Sequence, residues 1–219
     1  MTESYVRYTR LKFDRPHAKV LRITMENGRM NTTDEALHRE LGEIWRDVDH
    51  DPSVNVAIIT GAGRIFSAGG DFSIIRQNIE DFEARARQWK EARDIVYNVI
   101  NCSKPVVSAM RGVAVGAGLV CGLLADVSIA SKDCRIIDGH TRLGVAAGDQ
   151  AAIVWPLLCG LAKANTTCCC ATRCWVRRPS ASGSSRSRSR MPSSMRKPSR
   201  SPAGWPRAHR VRSAGQNTR

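Results

Sequence analysis

A glycine-rich segment in the middle of the chain could bind a ligand through its backbone groups. Residues 112–118 read Gly-Val-Ala-Val-Gly-Ala-Gly, between an apolar run at 105–110 that predicts a buried strand and one at 119–125 that predicts a buried helix. Such a turn leaves N–H groups at the positive end of the helix dipole. The segment could therefore bind a phosphate or stabilise an oxyanion. Glycines also allow a helix to pack closely on a strand, so the motif alone leaves both interpretations open.

A second turn of small residues lies earlier in the chain. Residues 66–71 read Phe-Ser-Ala-Gly-Gly-Asp and follow an apolar run at 54–60 that predicts another buried strand. Asp71 stands before a further helical segment, and we predict that it caps that helix rather than takes part in a reaction. The chain thus repeats the arrangement of a buried strand followed by a small-residue turn.

The remaining pattern supplies the elements that must position these turns. We predict two further strands at residues 20–25 and 126–130, and helices at about 34–51, 80–100 and 151–161. Thr33 or Asp34 is predicted to cap the first of these helices, and Pro156 to interrupt the last. Strands that alternate with helices predict a layered α/β fold.

Composition indicates a globular protein. With 42% apolar residues over 219 positions, the chain can bury a single core. Its apolar runs fall short of the ~20 residues that span a membrane. Residues 1–8 lack the apolar stretch of a signal peptide. We therefore expect a cytoplasmic protein with no membrane partner.

The basic charge is concentrated at the end of the chain. The net charge is +14, but thirteen of the 34 Lys and Arg residues follow Asn165, and no Asp or Glu does. The preceding residues hold 21 basic and 20 acidic side chains, so they are nearly neutral. We predict a folded domain at residues 1–164 and a disordered basic tail, rich in Ser, Arg and Pro, at 165–219. Such a tail could bind RNA, which would be a function of a different class.

The eight cysteines predict neither a metal site nor disulfides. Those before residue 160 stand singly among apolar residues, as buried free thiols do. The four between residues 168 and 174 lack the paired C-x2-C spacing of zinc sites. Disulfides are rare in the compartment expected for this chain.

Together and in this order, the two turns resemble the oxyanion-hole turns of the crotonase superfamily, the enoyl-CoA hydratase/isomerase family. The resemblance covers about residues 20–164 and includes Val56-Ala-Ile-Ile-Thr-Gly61, Lys104-Pro105-Val106 and Ala125-Asp126. It implies an α/β fold with a ββα spiral core and an acyl-CoA substrate, with no cofactor other than the coenzyme A of that substrate. It also implies a homotrimer or hexamer, which the family's C-terminal helices help to build.

By this resemblance, backbone N–H groups hold the thioester carbonyl. The implied donors are Gly70 and Ala117. The other residues implied to bind the substrate are Ala68, Gly69, Asp71 and Gly116. An enolate oxyanion that forms there gains ~3 kcal/mol of stabilisation from each donor of this kind.

The acid–base residues depart from the usual hydratase pattern. The two glutamates of a standard hydratase would fall at Val120 and His140, and valine cannot titrate. The loop from residue 138 to residue 149 instead resembles a subgroup with a His and an Asp, which includes β-diketone hydrolases that cleave C–C bonds. We predict that His140 and Asp149 are the acid–base pair. Asp149 could alternatively cap the helix that follows, and Asp138 is predicted to be a turn residue.

The genetic code offers a second interpretation of the tail. If one base were lost from a Lys codon at position 165, the codons for Asn-Thr-Thr-Cys-Cys-Cys could restore to Lys-Tyr-Tyr-Leu-Leu-Leu. The codons that follow permit a segment with helical apolar spacing and balanced charge. We therefore interpret residues 165–219 as a frameshift product that replaces the family's C-terminal helices. Such a chain could be an inactive remnant.

Overall fold

The part of the chain that a computed structural model describes, residues 5–147, 150–170 and 173–175, contains ten strands and six α-helices. The strands are β1 (Leu11–His17), β2 (Val20–Met25), β3 (Thr32–Thr33), β4 (Val56–Gly61), β5 (Ser67–Gly70), β6 (Val106–Met110), β7 (Val113–Val115), β8 (Val127–Ala130), β9 (Arg135–Ile137) and β10 (Arg173–Trp175). The helices are α1 (Glu35–His50), α2 (Phe72–Glu80), α3 (Phe82–Ile100), α4 (Gly116–Leu124), α5 (Gln150–Cys159) and α6 (Leu161–Cys170), with a 3-10 helix at His140–Leu143. None of these helices has the length and apolar composition needed to cross a membrane.

The elements form a spiral of β-β-α units, each of which supplies one strand to each of two sheets. The first sheet has the order β1-β2-β4-β6-β8, and the second has the order β10-β9-β7-β5-β3. Neighbouring strands are parallel except for β1 with β2 and β10 with β9. Parallel neighbours need a crossover, which the helices between the units provide. The predicted α/β class and the ββα spiral implied by the resemblance are both confirmed.

Helix α1 lies in the core, where it packs mainly against α3. The buried residues at the predicted helical spacing are Leu37, Leu41, Ile44, Trp45 and Val48. Asp34, rather than Thr33, is the N-cap, and its carboxylate accepts a hydrogen bond from the Leu37 N–H at 2.8 Å. Two N-terminal tyrosines, Tyr5 and Tyr8, join the same buried cluster.

Two helix boundaries differ from the sequence prediction. α4 begins at Gly116, so the second half of the glycine-rich segment belongs to the helix rather than to a loop before it. Pro156 lies inside α5 and does not interrupt it. A proline inside a helix loses its N–H bond and crowds the carbonyl of the preceding turn, and the burial of Val154 and Trp155 offsets this cost. The break comes at Gly160, whose φ is 78°.

Regular structure continues beyond residue 164, where the sequence predicts the end of the folded domain. Helix α6 extends to Cys170, and Ala164 and Thr167 on either side of the boundary are buried. Strand β10 pairs with β9. Residues 171–172 and 176–219 of the predicted tail lie outside the described residues.

Asp51 and Lys104 connect the end of α1 to neighbouring segments. The buried Asp51 carboxylate accepts hydrogen bonds from the Tyr5 hydroxyl and the Ser53 N–H, both at 2.8 Å. The Lys104 ammonium donates to the carbonyl oxygens of Val48 and Asp51, at the negative end of the helix dipole. Burial raises the pKa of Asp51, but the hydrogen bonds from Ser53 and Tyr5 outweigh it and lower the pKa to about 2.

This depressed pKa predicts acid sensitivity. An aspartate titrates near 3.9 when unfolded, so the ionised Asp51 stabilises the fold above about pH 4, and this contribution is lost as the pH falls toward about 2. We expect Asp51→Asn to lower the free energy of unfolding by about 2 kcal/mol at pH 7, with the difference shrinking across that window. Urea unfolding at a series of pH values measures both.

Asp14 supplies the matched control. Its carboxylate pairs with Arg22 on an exposed surface, where ion pairs contribute about 0–1 kcal/mol. Asp14→Asn should therefore leave the stability and its acid dependence close to those of the parent. Equal losses in the two variants would contradict the role given to Asp51.

Candidate active site

Three neighbouring strands of the second sheet end at the same side of that sheet, here called the carboxyl edge. β7 lies between β5 and β9 and is parallel to both, with Val115 paired to Ala68 on one side and to Ile137 on the other. Because parallel strands run in the same direction, their carboxyl ends lie side by side. The turns that follow the three strands are therefore neighbours, although they come from three different units of the spiral. This edge is the candidate active site.

The first two turns contact each other through backbone atoms. A Cβ added to Gly116 would lie 3.0 Å from the Cα of Gly69 and 3.5 Å from the backbone N of Gly70. Gly69 and Gly116 have φ values of 95° and 67°, a region that L side chains rarely adopt. Glycine at position 116 is thus favoured both by the backbone conformation and by the available space.

The N-terminus of α4 lies at this contact. The first N–H groups of a helix have no partner within the helix, and Ala117 is the second residue of α4. The N-cap, Val115, makes no side-chain hydrogen bond, and the first turn of α4 carries no acidic residue. The dipole makes this end positive, so the arrangement can hold a polarised carbonyl or an anionic oxygen.

Ser67 joins the first two turns. Its buried hydroxyl donates to the Val115 carbonyl at 3.2 Å and accepts from the Gly69 N–H at 3.5 Å. A Cβ on Gly118 would lie 2.7 Å from the Cβ of Ser67, so α4 can approach β5 this closely only with glycine there. The two interpretations that the sequence left open are therefore compatible, since Gly118 permits close packing while Gly116 begins the helix at the contact.

Asp71 caps α2, as the sequence predicts. Its carboxylate accepts from the N–H and the hydroxyl of Ser73 at 2.8 and 2.7 Å. The backbone hydrogen bond from Ser73 lowers the pKa of Asp71. The Asp71 N–H donates to the Thr33 carbonyl at 2.9 Å. The backbone and the side chain of Asp71 are therefore both held, and together they orient the chain as it enters α2.

The third turn brings a histidine and an aspartate to the same edge. Asp138 directly follows β9, and a Cβ on Gly139 would lie 3.4 Å from the Val115 side chain, beside the second turn. The Asp138 side chain is only 3% exposed. One of its carboxylate oxygens accepts from the His140 N–H at 3.2 Å and lies 3.1 Å from the ring Nδ1, and the other lies 3.2 Å from Nδ1.

Asp138 accepts from the N–H two residues further on, as a turn residue does, which agrees with its prediction as a turn residue. Its carboxylate is in addition a partner of the His140 ring, which the sequence analysis did not predict. A three-residue strand such as β9 is too short to show a periodicity, so the burial of the Asp138 side chain could not be predicted from the residues around it. The spacing of two residues between an Asp and a His in a loop is the one signal that could have suggested the pairing.

The other predicted acid–base positions have different outcomes. Asp149 lies outside the described residues, so its pairing with His140 stays a prediction. Val120 is buried within α4 and 5% exposed, and it offers no ionisable group beside the first turn of that helix.

Some other cysteine and histidine side chains of the described residues are buried elsewhere. Cys121 and Cys134 are buried, and burial raises the pKa of each thiol. His38 is buried between α1 and α3, with its Nδ1 2.7 Å from the Glu91 carboxylate. Across the described residues, no three His, Cys, Asp or Glu side chains are grouped so that they could hold a metal ion.

The spiral fold and the paired turns define a crotonase-type protein. Residues 15–180 match the family model of the enoyl-CoA hydratase/isomerase family. The chain belongs to that family.

Its relatives carry several activities. The chain is 31% identical over 120 residues to a probable peroxisomal enoyl-CoA hydratase 1 of Arabidopsis thaliana, covering 53% of this chain and 42% of the relative. It is 28% identical over 142 residues to the 1,2-epoxyphenylacetyl-CoA isomerase of Escherichia coli, covering 62% and 53%. A crystal structure of an enoyl-CoA hydratase/isomerase from Mycobacterium paratuberculosis matches with a TM-score of 0.69 and 32% identity, covering 76% of this chain and 67% of that one. The chain thus spans about half the length of these curated relatives.

The contact at Gly116 predicts that alanine lowers the stability more at position 116 than at position 70. Gly116→Ala adds a Cβ at a positive φ against Gly69, and we expect it to lower the free energy of unfolding by about 1–3 kcal/mol. A Cβ at Gly70 would meet nothing nearer than an Ile74 methyl group at 3.8 Å, so Gly70→Ala should leave the stability nearly unchanged. Urea unfolding of the two variants tests this, and equal losses would contradict the proposed contact.

Proposed function

We propose that the chain binds an acyl-CoA thioester and stabilises the enolate formed when a proton leaves the α-carbon. The observation that carries the proposal is the contact between the turn at Gly69–Gly70 and the N-terminus of α4. The backbone of a turn from one unit of the spiral lies there against the first turn of a helix from the next unit, at the positive end of that helix.

Gly70 and Ala117 are the proposed donors to the thioester oxygen. That oxygen carries a partial charge in the substrate and a full negative charge in the enolate, so the two hydrogen bonds strengthen as the proton departs. Because the donors are backbone groups, the alanine side chain at position 117 does not hinder them. Ala68, Gly69, Asp71 and Gly116 surround this position in the chain and are proposed to shape the binding site.

His140 is the proposed acid–base group, with Asp149 as its proposed second member. A neutral imidazole can accept the α-proton and return it to another carbon near neutral pH. His140 follows β9, the neighbour of β7, so its turn adjoins the one that begins α4. Val120 and His140 stand where a standard hydratase has its two glutamates, so neither position offers a carboxylate to activate water, and this proposal favours proton transfer between carbons.

A C–C bond hydrolase of the β-diketone type is the second candidate, and the combination of Val120 and His140 favours it. In this reaction His140 removes a proton from water, and the oxygen attacks one ketone carbonyl. The bond to the central carbon then breaks, its electron pair forms an enolate with the other carbonyl, and the proton is delivered to carbon. The same backbone donors would hold that enolate oxygen.

Hydrogen–deuterium exchange at the α-carbon of butyryl-CoA tests the enolate directly. We expect the full chain to incorporate deuterium from D2O, and His140→Ala to slow the exchange by about 10²–10⁴-fold because the acid–base group is lost. Mass spectrometry of the recovered thioester measures the rate. His50→Ala, at an exposed position near the end of α1, is the matched control and should exchange at the parental rate.

Ala117→Pro tests the backbone donor separately. Proline lacks the N–H but is tolerated in the first turn of a helix, so the variant should fold while exchange slows by about 10²–10³-fold. Ala117→Ser keeps the N–H and should retain the activity. If proline and serine at this position give the same rate, the donor role is wrong. Hydrolysis of a cyclic β-diketone without thioester exchange would favour the second candidate.

We also propose that residues from Asn165 onward are encoded in a shifted frame. The composition changes at this point, and exposed apolar side chains on the last two helices, Leu157, Leu158 and Leu161, would suit a cover by further helices. Sequencing the gene tests this proposal. If the reading frame displaced by one base does not encode a helical, charge-balanced segment after codon 165, the proposal is wrong.

A further inference from the structure

We propose that Asp138 is a positioning residue that holds the His140 ring with its proton on Nδ1, so that Nε2 is the nitrogen that exchanges protons with the substrate. This inference rests on the proposed role of His140 in acid–base chemistry.

The contacts determine which ring nitrogen carries the proton. Both carboxylate oxygens of Asp138 lie within hydrogen-bond distance of His140 Nδ1, at 3.1 and 3.2 Å. An ionised carboxylate only accepts hydrogen bonds. Nδ1 must therefore donate, and in the neutral ring Nε2 is then the basic nitrogen.

The burial of Asp138 makes this orientation firm. Its side chain is 3% exposed, whereas the His140 ring is 21% exposed. The Asp138 carboxylate also accepts a hydrogen bond from the His140 N–H at 3.2 Å. The backbone N–H and the ring Nδ1 of His140 thus both contact this one carboxylate. Since Asp138 directly follows β9, the strand fixes the carboxylate, and the carboxylate fixes the ring.

The pair also lies where an oriented base is needed. Val115, the last residue of β7, pairs with Ile137, the last residue of β9, and its side chain lies beside Gly139. The chain that leaves β7 enters α4, and the chain that leaves β9 enters the Asp138–His140 turn. A proton acceptor on one turn and N–H donors on the next would then act on adjacent atoms of one substrate.

Asp138→Asn tests the assignment because an amide presents one acceptor and one donor where the carboxylate presents two acceptors. In either orientation of the amide, one of the two positions within 3.2 Å of Nδ1 becomes an NH2 donor, which disfavours a proton on Nδ1. The amide also lacks the negative charge that favours this proton, so the tautomer with the proton on Nε2 should predominate. Nitrogen-15 chemical shifts of the labelled histidine ring in the full chain report the tautomer. The His140→Ala variant identifies the signal.

We expect the parent chain to show the Nδ1–H tautomer and Asp138→Asn to show the Nε2–H tautomer. For butyryl-CoA exchange, kcat should fall by about 10²-fold with KM nearly unchanged, since an Asp-to-Asn change beside a catalytic histidine can lower kcat by as much as about 10⁴-fold. Asp133→Asn, at an exposed position five residues earlier, should change neither the tautomer nor kcat. In the His140→Ala background, Asp138→Asn should have no further effect on exchange.

Each result bears on the proposal. An Nε2–H tautomer in the parent, or a tautomer that Asp138→Asn leaves unchanged, overturns it. A flipped tautomer with an unaltered kcat also overturns it, while the proposed function stands. If the parent exchanges no thioester proton, the proposed function fails, and the tautomer of the parent ring still decides whether Asp138 holds Nδ1. That measurement needs no variant and therefore remains decisive if Asp138→Asn does not fold.

Discussion

The approach of Gly116 to Gly69 is the constraint on which the candidate site depends. A Cβ at position 116 would come within 3.0 Å of the neighbouring backbone, so no larger residue fits without moving the turns apart. Because α4 begins at Gly116, the same contact determines where the first N–H groups of that helix lie. Any displacement there would pass to β9 as well, since β9 pairs with the strand that leads into Gly116.

The spiral arrangement explains how distant parts of the sequence reach one edge. Each β-β-α unit adds one strand to the second sheet, and the parallel pairing aligns the carboxyl ends of successive strands. The three turns of the site are therefore contributed by three consecutive units. A shift of one residue in the pairing of β5 with β7 would turn each side chain to the opposite face and would separate Gly69 from Gly116.

Sequence patterns predicted four of the five strands of the first sheet, missing β1, and predicted the strands of the second sheet poorly. β2, β4, β6 and β8 have four to six residues with strong apolar character, and α1 has a clear cap and helical spacing. The second-sheet strands β3, β5, β7 and β9 have only two to four residues, too few for any periodicity. The glycines revealed two of the turns because their backbone requirements are local. The burial of Asp138 depends on strand pairing across the sheet, which no local pattern encodes.

The structure separates two chemical tasks between different kinds of group. Backbone atoms of two turns form the surface that could hold a developing negative charge, and the glycines and Ser67 that shape it have little freedom to vary. The titratable groups stand on the third turn, where a side chain can be exchanged without altering the contact at Gly116. Val120, in contrast, is a buried apolar residue of α4 and serves the packing of that helix. The glycine motifs therefore identify the fold, whereas the proposed acid–base chemistry depends on the turn after β9.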